Sequence, residues 1–463
     1  MLSAEENEFV TRVGPGTPMG NLLRRFWIPV ALSEELPAPD CPPVRVKVLG
    51  EKLVAFRDSS GRVGLLREHC PHRGTSLFYG RNEANGLRCI YHGWKFDVEG
   101  RCVDMPNEPP EYDYKHKVRA IGYPCEDRGK LLWAYMGPRE AMPELPHFDW
   151  FDLPPEHIWT FKWHASANWL QVLEAEVDES HAPFLHSSGE GVFALNFLNN
   201  DSPTQTNMAY LMRGRQARMF AREAAYGLDC GARRDLGPDG FFWRITRLML
   251  PYHACVPSGT PVILFNSRIP IDDESCWSIR LRWRADRPFN EAELYGFQHS
   301  GDASHADLIP GTYRLKRDLH NDFLIDRALQ HSGSYTGIRG INEQDNVAAA
   351  SMGSIADRTQ EHLGQSDTIV IATRRKLMKL AKALQGGVAP YASQHPEVFH
   401  GAISATGVVH EDLPFEKVLE RVLEPPSVGA AGDGAAVAGH RIGEEEKKAK
   451  TNRPARERMR TKM

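Results

Sequence analysis

The sequence predicts an α+β chain in two folded parts, a small all-β domain followed by a larger domain of antiparallel sheet and helices. Three observations predict it. Apolar residues alternate with period two in short runs from Val44 to Tyr135, separated by Gly-bearing turns. A Pro- and acid-rich stretch from Pro143 to Pro155 then interrupts the pattern as a connector. Beyond it, strand-like runs are interleaved with segments of helical apolar spacing.

With 463 residues, 41% hydrophobic and 25% charged, the chain is ordinary for a globular protein of more than one domain. A net charge of −4 supplies no basic field, so no nucleic-acid partner is expected. The start, Met1-Leu2-Ser3-Ala4-Glu5-Glu6, is acidic and reads as no signal or transit peptide. No segment approaches the roughly 20 apolar residues of a membrane span. Apart from Cys70 and Cys89, the cysteines (Cys41, Cys102, Cys125, Cys230, Cys255 and Cys276) are scattered and read as reduced thiols. A cytoplasmic location is the expectation.

Residues 1–43 are expected to form a helical segment packed on the larger domain. Within them, Gly14-Pro15-Gly16-Thr17-Pro18-Met19-Gly20 lacks the G-x-G-x-x-G spacing and a preceding strand, so it reads as a turn before a short amphipathic helix, not a phosphate loop. Residues 44–141 form the β domain. Val44, Val46 and Val48, then Val54 and Phe56, lead through a Ser59-Ser60-Gly61 turn to Val63–Leu66. Asn85-Gly86 marks a second hairpin, Glu99-Gly100 turns a strand begun at Trp94, and Leu131–Tyr135 is the last strand.

The larger domain spans 142–425. Helical signal surrounds Asn168–His181, with strands at Tyr210–Met212, Phe241–Leu250, Val262–Arg268 and Trp277–Trp283. Gln298–Gly311 is polar and reads as a loop, whereas Leu315–Leu329 and Thr373–Leu384 are helical by apolar spacing. From 426 to 463 the composition turns to Gly and Ala and then to charge, which predicts a disordered tail.

Two constellations carry chemistry. Cys70-Pro71-His72-Arg73-Gly74 and Cys89-Ile90-Tyr91-His92-Gly93 each place a Cys and a His in a tight Gly-bearing loop. Two thiolates and two imidazoles suit tetrahedral zinc, or a [2Fe–2S] centre with Cys₂ on one iron and His₂ on the other. The second constellation is Asp178-x-x-His181-x₄-His186. Asp178 and His181 share a helix face, with Glu174 one turn earlier, but five residues on one helix would splay His181 and His186 by about 140°. Pro183 is expected to end or kink the helix just past His181 and let His186 swing back. Two imidazoles and one remote carboxylate are the parts of a facial triad for Fe(II). Asp345 is the best candidate for that carboxylate, with Glu343 the alternative.

Taken together, these motifs resemble the Rieske non-haem iron oxygenases, specifically catalytic subunits of the phthalate 4,5-dioxygenase-like group. The resemblance covers roughly residues 1 to 425. It is carried by the run from Gly14 to Gly20, the two Cys/His loops with Trp94-Lys95-Phe96-Asp97, the stretch from Asp178 to His186, and Gln344-Asp345, with further support in Ser354–Arg358 and Glu361–Asp367.

The resemblance implies a Rieske domain followed by a helix-grip (START-like) catalytic domain. Cys70, His72, Cys89 and His92 would bind the [2Fe–2S] cluster; His181, His186 and Asp345 would bind a mononuclear Fe²⁺. Asp178 would bridge the two metals between neighbouring subunits of a homotrimer or dimer of trimers, touching His181 of its own chain and His92 of the next. O₂ would be co-substrate for oxidation of a small aromatic molecule, an aromatic carboxylate by preference, through ring hydroxylation or dihydroxylation. O- or N-demethylation is the alternative.

Electrons would come from NAD(P)H through a separate flavin/ferredoxin-type reductase, because this chain has no nucleotide fingerprint. Among the arginines of the catalytic half (Arg213, Arg215, Arg218, Arg222, Arg244, Arg247 and Arg268), Arg244 in Phe241-Phe242-Trp243-Arg244 is the first choice for a substrate carboxylate, since its neighbours suggest burial. The chain departs from the group at Ala175 and Glu179, where relatives often carry Gly and Ser, and at the small run Ala349–Ser354. A structural zinc module would leave His181, His186 and Asp345 unexplained, and a pure Rieske electron carrier would not need the region from Pro143 to Pro425.

Overall fold

The computed structural model describes residues 1–187, 209–211, 216–257, 262–299 and 306–423. The segment 426–463, expected to be disordered, lies outside them. The chain opens with helices α1 (Ala4–Thr11) and α2 (Pro18–Leu23). Ser3 caps α1 in a reciprocal box with Glu6, and Thr17 Oγ1 caps α2 by accepting from Gly20 N at 3.1 Å. The glycine-rich run is therefore a capping turn. Trp27 already belongs to a strand, β1 (Trp27–Leu32).

Strands β2 (Val44–Val48), β3 (Glu51–Arg57), β4 (Val63–Arg67), β5 (Arg81–Glu83), β6 (Gly86–Arg88), β7 (Lys95–Phe96), β8 (Cys102–Asp104), β9 (Gly122–Tyr123), β10 (Cys125–Arg128) and β11 (Leu131–Tyr135) follow. They make three antiparallel sheets, ordered β2-β3-β4-β9, β5-β6-β7-β8 and β1-β11-β10. Two hairpins are closed in the same way. Asp58 Oδ1 accepts from the amides of Ser60 and Arg62, both at 2.9 Å, and Asp97 Oδ1 accepts from those of Glu99 and Arg101 at 3.0 and 2.8 Å. Between these sheets lies an apolar core containing Phe56, Leu66, Leu87, Trp94 and Phe96, into which Cys70 and Cys89 are also built.

The connector is packed rather than loose. Phe148 and Trp150 stack at 4.7 Å between centroids and sit buried beside Trp133 and Phe265, which joins the β domain to the larger sheet. Burial of side chains of this size contributes about 1.5–3 kcal/mol each.

The larger sheet is antiparallel with eight strands in the order β12 (Ile158–Ala165), β18 (Cys276–Trp283), β17 (Ile263–Pro270), β16 (His253–Val256), β15 (Phe241–Met249), β14 (Gly227–Asp235) and β13 (Arg218–Ala224), while β19 (Ala405–Val409) pairs with the first half of β15. Helix α3 (Trp169–Val177) lies across β16 and β17, followed by the short α4 (Ala182–Leu185), α5 (Glu291–His299), α6 (Arg327–Ser332), α7 (Ile341–Ser351), α8 (Thr368–Gln385) and α9 (Phe415–Leu423). Phe415 of α9 stacks on Trp243 and closes over Gly231, where a Cβ would fall 2.3 Å from its ring. No helix among the described residues is long and apolar enough to cross a membrane.

Several expected elements differ. Residues 209–211 are helical where a strand is predicted, because a three-residue apolar run fits either period; Leu211 packs on Leu236 and Phe242. Leu315–Leu329 is not one helix. Asp322, Phe323 and Leu324 have φ of 49°, 51° and 50°, a left-handed kink held by Asp318 and by burial of Phe323 against Ile338 and Ala350. The polar stretch predicted as a loop from Gln298 begins inside α5, and its residues 300–305 lie outside the described ones.

Candidate metal centres

The two Cys/His loops are built alike. Cys70 N donates to Thr75 O at 2.8 Å and Gly74 N to Cys70 O at 2.9 Å; Cys89 N donates to Trp94 O at 2.8 Å and Gly93 N to Cys89 O at 3.1 Å. Both turns close on a glycine in the left-handed region, φ 79° at Gly74 and 78° at Gly93, where a side chain would be strained. The loops set both thiols inside, each 3% exposed, and both imidazoles at the rim, with the rings of His72 and His92 4.5 Å apart edge to face. His72 stacks on Trp94 at 4.1 Å, and the Trp94 Nε1 donates to Asn107.

Burial pushes the Cys70 thiol up to about 12, against the backbone amides of His72 and Arg73 that point at its sulfur. Such a site suits a thiolate only when a cation or cluster compensates it. None of the cysteines is in a disulfide. A thiol pair inside and an imidazole pair at the rim fit a [2Fe–2S] group with Cys₂ on one iron and His₂ on the other.

The second centre depends on helix α3. Asn168 caps it, Oδ1 accepting from Leu170 N at 3.1 Å, while its Nδ2 donates to Thr11 O and Asp273 O. Glu174 turns away from the metal residues and receives Arg374 Nε at 2.7 Å and Arg358 Nη2 at 3.2 Å. Contrary to the expected break at Pro183, the helix ends at Val177, four residues before His181. Asp178 Oδ1 stops it by accepting from the Ser180 amide at 2.8 Å and the Ser180 hydroxyl at 2.5 Å. Pro183 sits in the first turn of α4, where its missing N–H costs nothing. That turn, not a kink, aims both histidines at one point.

Asp345 reaches the same point from α7. Its Oδ1 lies 3.1 Å from His186 Nε2 and 3.8 Å from His181 Nε2, and the three candidate ligand atoms fall within 4.8 Å of one another. The Oδ1 is enclosed and, among the described residues, accepts no well-aligned hydrogen bond, which leaves a buried carboxylate oxygen available to a cation. Burial would raise the Asp345 carboxyl, but His186 and His181 outweigh it and hold it below its ordinary range. His186 Nδ1 meets Gln344 Oε1 at 2.8 Å, so Nε2 is the nitrogen presented to the metal point. Gln344 is fixed in turn by donating to Ile338 O at 2.8 Å.

Glu343 is directed elsewhere. It accepts from Asp307 N at 2.9 Å, is 1% exposed, and burial pushes it up to about 7. The two helices are registered by Gln171, a residue with no sequence signal of function. Its Nε2 donates to Ala349 O and Gly353 O, both at 3.0 Å, and its Oε1 accepts from Ala356 N at 2.8 Å. Ala349 and Ala350 are small because they are buried at these contacts.

Asp178 Oδ2 faces His181 Nδ1 from 3.9 Å, beyond hydrogen-bond length. Arg244 is buried with Nε donating to Glu179 Oε2 at 2.7 Å. Burial alone would raise the Glu179 carboxyl, yet Arg244 and Arg234 together hold it low. Of the other arginines considered, Arg222 and Arg247 both bind Asp229, Arg268 binds Glu176, Arg218 is exposed, and Arg213 and Arg215 lie outside the described residues. Sequence reasoning passed over Arg280 and Arg282 of β18. Their alternation with apolar residues reads like an exposed strand edge, whereas Arg280 is buried.

Comparison with known proteins agrees with these centres. Residues 26–123 match the Rieske [2Fe-2S] domain family, and residues 134–423 match the LigXa C-terminal domain like family. The chain thus belongs to the Rieske oxygenases, enzymes with a [2Fe–2S] cluster and a mononuclear iron site, and is an oxygenase subunit of that class. It is 36% identical to the 3-chlorobenzoate-3,4-dioxygenase oxygenase subunit of Comamonas testosteroni over 92% of this chain and 99% of the relative. It is also 36% identical to the phthalate 4,5-dioxygenase oxygenase subunit of Pseudomonas putida, over 91% and 95%.

Identity to the 5,5'-dehydrodivanillate O-demethylase oxygenase subunit of Sphingobium sp. is 33% over 92% and 91%. Among solved structures, dicamba monooxygenase bound to 3,6-dichlorosalicylic acid shares the fold with a TM-score of 0.55 at 16% identity, covering 79% of this chain and 99% of that one. NdmA of Pseudomonas putida CBB5 shares it with a TM-score of 0.53 in a caffeine-bound mutant, at 21% identity over 86% and 99%.

Proposed function

We propose that this oxygenase subunit oxidises an aromatic carboxylate by ring hydroxylation or dihydroxylation, drawing electrons from a separate flavin/ferredoxin-type reductase that consumes NAD(P)H. The observation that carries this reading is the convergence of His181, His186 and Asp345 in a chain that also holds the paired Cys/His loops. In this reading Cys70, His72, Cys89 and His92 hold the cluster, and His181, His186 and Asp345 hold the iron. When bound, the cluster passes single electrons and the iron offers open positions to O₂ and substrate.

The chain's own residues do the remaining work. Gln344 orients His186, Gln171 holds α3 against α7, Glu174 ties α3 to Arg374 of α8, and the Ser180 turn sets the spacing of the histidines. In this reading Asp178, which faces His181, links its own iron site to a cluster histidine, His92 by preference, of a neighbouring subunit in a homotrimer or dimer of trimers. Arg244, the first choice for a substrate carboxylate, has its charge already answered by Glu179. The division at residues 1–43, 44–141, 142–425 and 426–463 belongs to the same reading; the separate sheets on either side of the connector and the hydrogen bonds of Asn7 to Ala356 and Arg358 support it, whereas β1 of the first segment pairs with β11 and so joins the β domain. A cytoplasmic location accords with the unpaired cysteines.

O-demethylation is the second reading, favoured by the likeness to the dehydrodivanillate O-demethylase subunit. Product analysis with a surrogate reductase and a panel of benzoates, phthalates and methoxybenzoates tests both. Hydroxylated or dihydrodiol products support the first reading, formaldehyde the second, and absence of O₂-dependent product from every acid overturns both.

A further inference from the structure

We propose that Arg280 and Arg282, two residues apart on one face of β18, form the subsite that takes the substrate carboxylate and makes the site select anionic over neutral aromatics. The proposal rests on the oxygenase reading above and names the residues that give it a substrate preference.

Residues i and i+2 of a strand share a face. Across the sheet, Arg280 lies opposite Asn266 on β17 and Phe161 on β12, and Arg282 opposite Leu264 and Trp159. This face looks toward α3, because Asn266 Nδ2 donates to Glu176 Oε2 of that helix at 2.6 Å. Arg268, on the same face, already binds Glu176, so that pair is neutral.

Arg280 is 5% exposed and donates Nε to the uncharged Asn266 Oδ1 at 3.1 Å; its Nη groups make no hydrogen bond among the described residues. Arg282 has an enclosed Nε with no partner and no ion pair to any described carboxylate. Among the described residues, two cations therefore stand side by side, neither in an ion pair with a carboxylate. Burial pushes Arg280 down to about 10 and Arg282 down to about 9, the latter also repelled by Arg280. Both remain cationic at neutral pH.

The pair is also in the right place. Asn266, opposite Arg280, bonds Glu176 of α3 two residues before Asp178, and the charges of Asp345 and His186 are felt at Arg280, so an anion held here lies on the side of the sheet that carries the metal triad. The surroundings are aromatic. Arg280 lies 5.5 Å over the Trp163 ring and Arg282 4.7 Å over Phe297. Cation–π contact is the weaker attraction and does not replace a carboxylate. An arene carboxylate supplies what is lacking: two charge-assisted acceptor oxygens and a flat apolar body. Arg244 cannot serve as freely, since Glu179 occupies it.

Calorimetric titration of the full-length, cluster-loaded protein with benzoate and with its neutral isostere benzamide tests the pair without turnover. The wild type is expected to bind benzoate at least about tenfold more tightly than benzamide, the value of a charge-assisted hydrogen bond. Arg280→Gln and Arg282→Gln should each remove most of that preference while benzamide binding stays within about threefold, and Arg282→Lys should fall between. Equal wild-type affinity for the two probes, or no measurable benzoate binding, overturns the proposal even if no variant folds. So does full benzoate preference in a Gln variant whose visible spectrum and circular dichroism are unchanged. Benzoate bound as expected but never converted, with none of the acid panel oxidised, counts against the oxygenase reading and not against the anchor.

Discussion

Glu179 Oε2 accepts a hydrogen bond from Arg244 Nε at 2.7 Å, both side chains are buried, and Thr246 Oγ1 donates to the second carboxylate oxygen at 3.3 Å. The turn that carries His181 is thereby tied to β15 by a buried ion pair. Removing one partner leaves the other charge stranded. Glu179→Ala should cost about 3–5 kcal/mol in urea unfolding, and adding Arg244→Met should return much of it. A single-variant loss below about 1 kcal/mol would show that water reaches the pair.

One substitution separates the turn that Asp178 makes with Ser180 from its proposed part as the bridge between the metals. Asn keeps an Oδ1 for the Ser180 amide, so the turn should hold and both metal sites should load. The carboxylate charge beside His181 is lost. Asp178→Asn is expected to slow O₂-dependent reoxidation of the reduced cluster on the order of 100-fold with substrate present, a loss of the size that misplacement of a positioned group produces. Reoxidation at the wild-type rate would remove Asp178 from the relay.

Asp345 and Glu343 are neighbours on α7 with opposite expectations. Asp345→Ala should reduce iron from about three per chain to about two while the cluster spectrum stays intact, because the triad loses its only anion. Glu343→Ala should keep all the iron. Gln344→Ala, which removes the Gln344 contact at His186 Nδ1, should weaken the mononuclear iron by about 10–100-fold in a chelator competition. Loss of iron in Glu343→Ala with retention in Asp345→Ala would reverse the assignment.

His253 sets a pH dependence of stability remote from the metals. Burial among Trp133, Phe148 and Phe265 pushes its imidazole down to about 3, and Nδ1 meets Ser267 Oγ at 2.7 Å. The folded chain keeps the ring neutral, whereas the unfolded chain takes up a proton below about pH 6.5. The stabilisation is therefore complete above that pH and is lost as pH falls toward 3. Between pH 7 and 5 the loss should be about 2 kcal/mol from this group. His253→Gln should remove that part of the slope in urea midpoints measured at the two pH values.

Much of the site was legible because its information is local. Each Cys/His loop is five residues closed by its own glycine, and His181 and His186 lie within one short stretch, so residue type and spacing alone expose them. The strands of the β domain were legible for the same reason, since hairpin turns at Ser60-Gly61 and Glu99-Gly100 act on adjacent residues. Boundaries depending on competing local bonds were not: the Asp178 side chain ended α3 before Pro183 was reached, and a left-handed kink at Asp322–Leu324 split a helix that apolar spacing predicts.

Sequence by itself determined the candidate metal-binding residue types and the two-part α+β organisation, because these follow from short-range pattern, and its joint motifs carried the resemblance that gives the oxygenase class. Tertiary structure alone decided that Asp345 and not Glu343 meets the histidines, that Gln171 registers the helices carrying them, and that Glu179 occupies Arg244 while Arg280 and Arg282 pair with no carboxylate among the described residues. Those outcomes depend on which buried charges come within a few ångströms across the sheet, and residues distant in sequence carry no mark of that until the chain has folded.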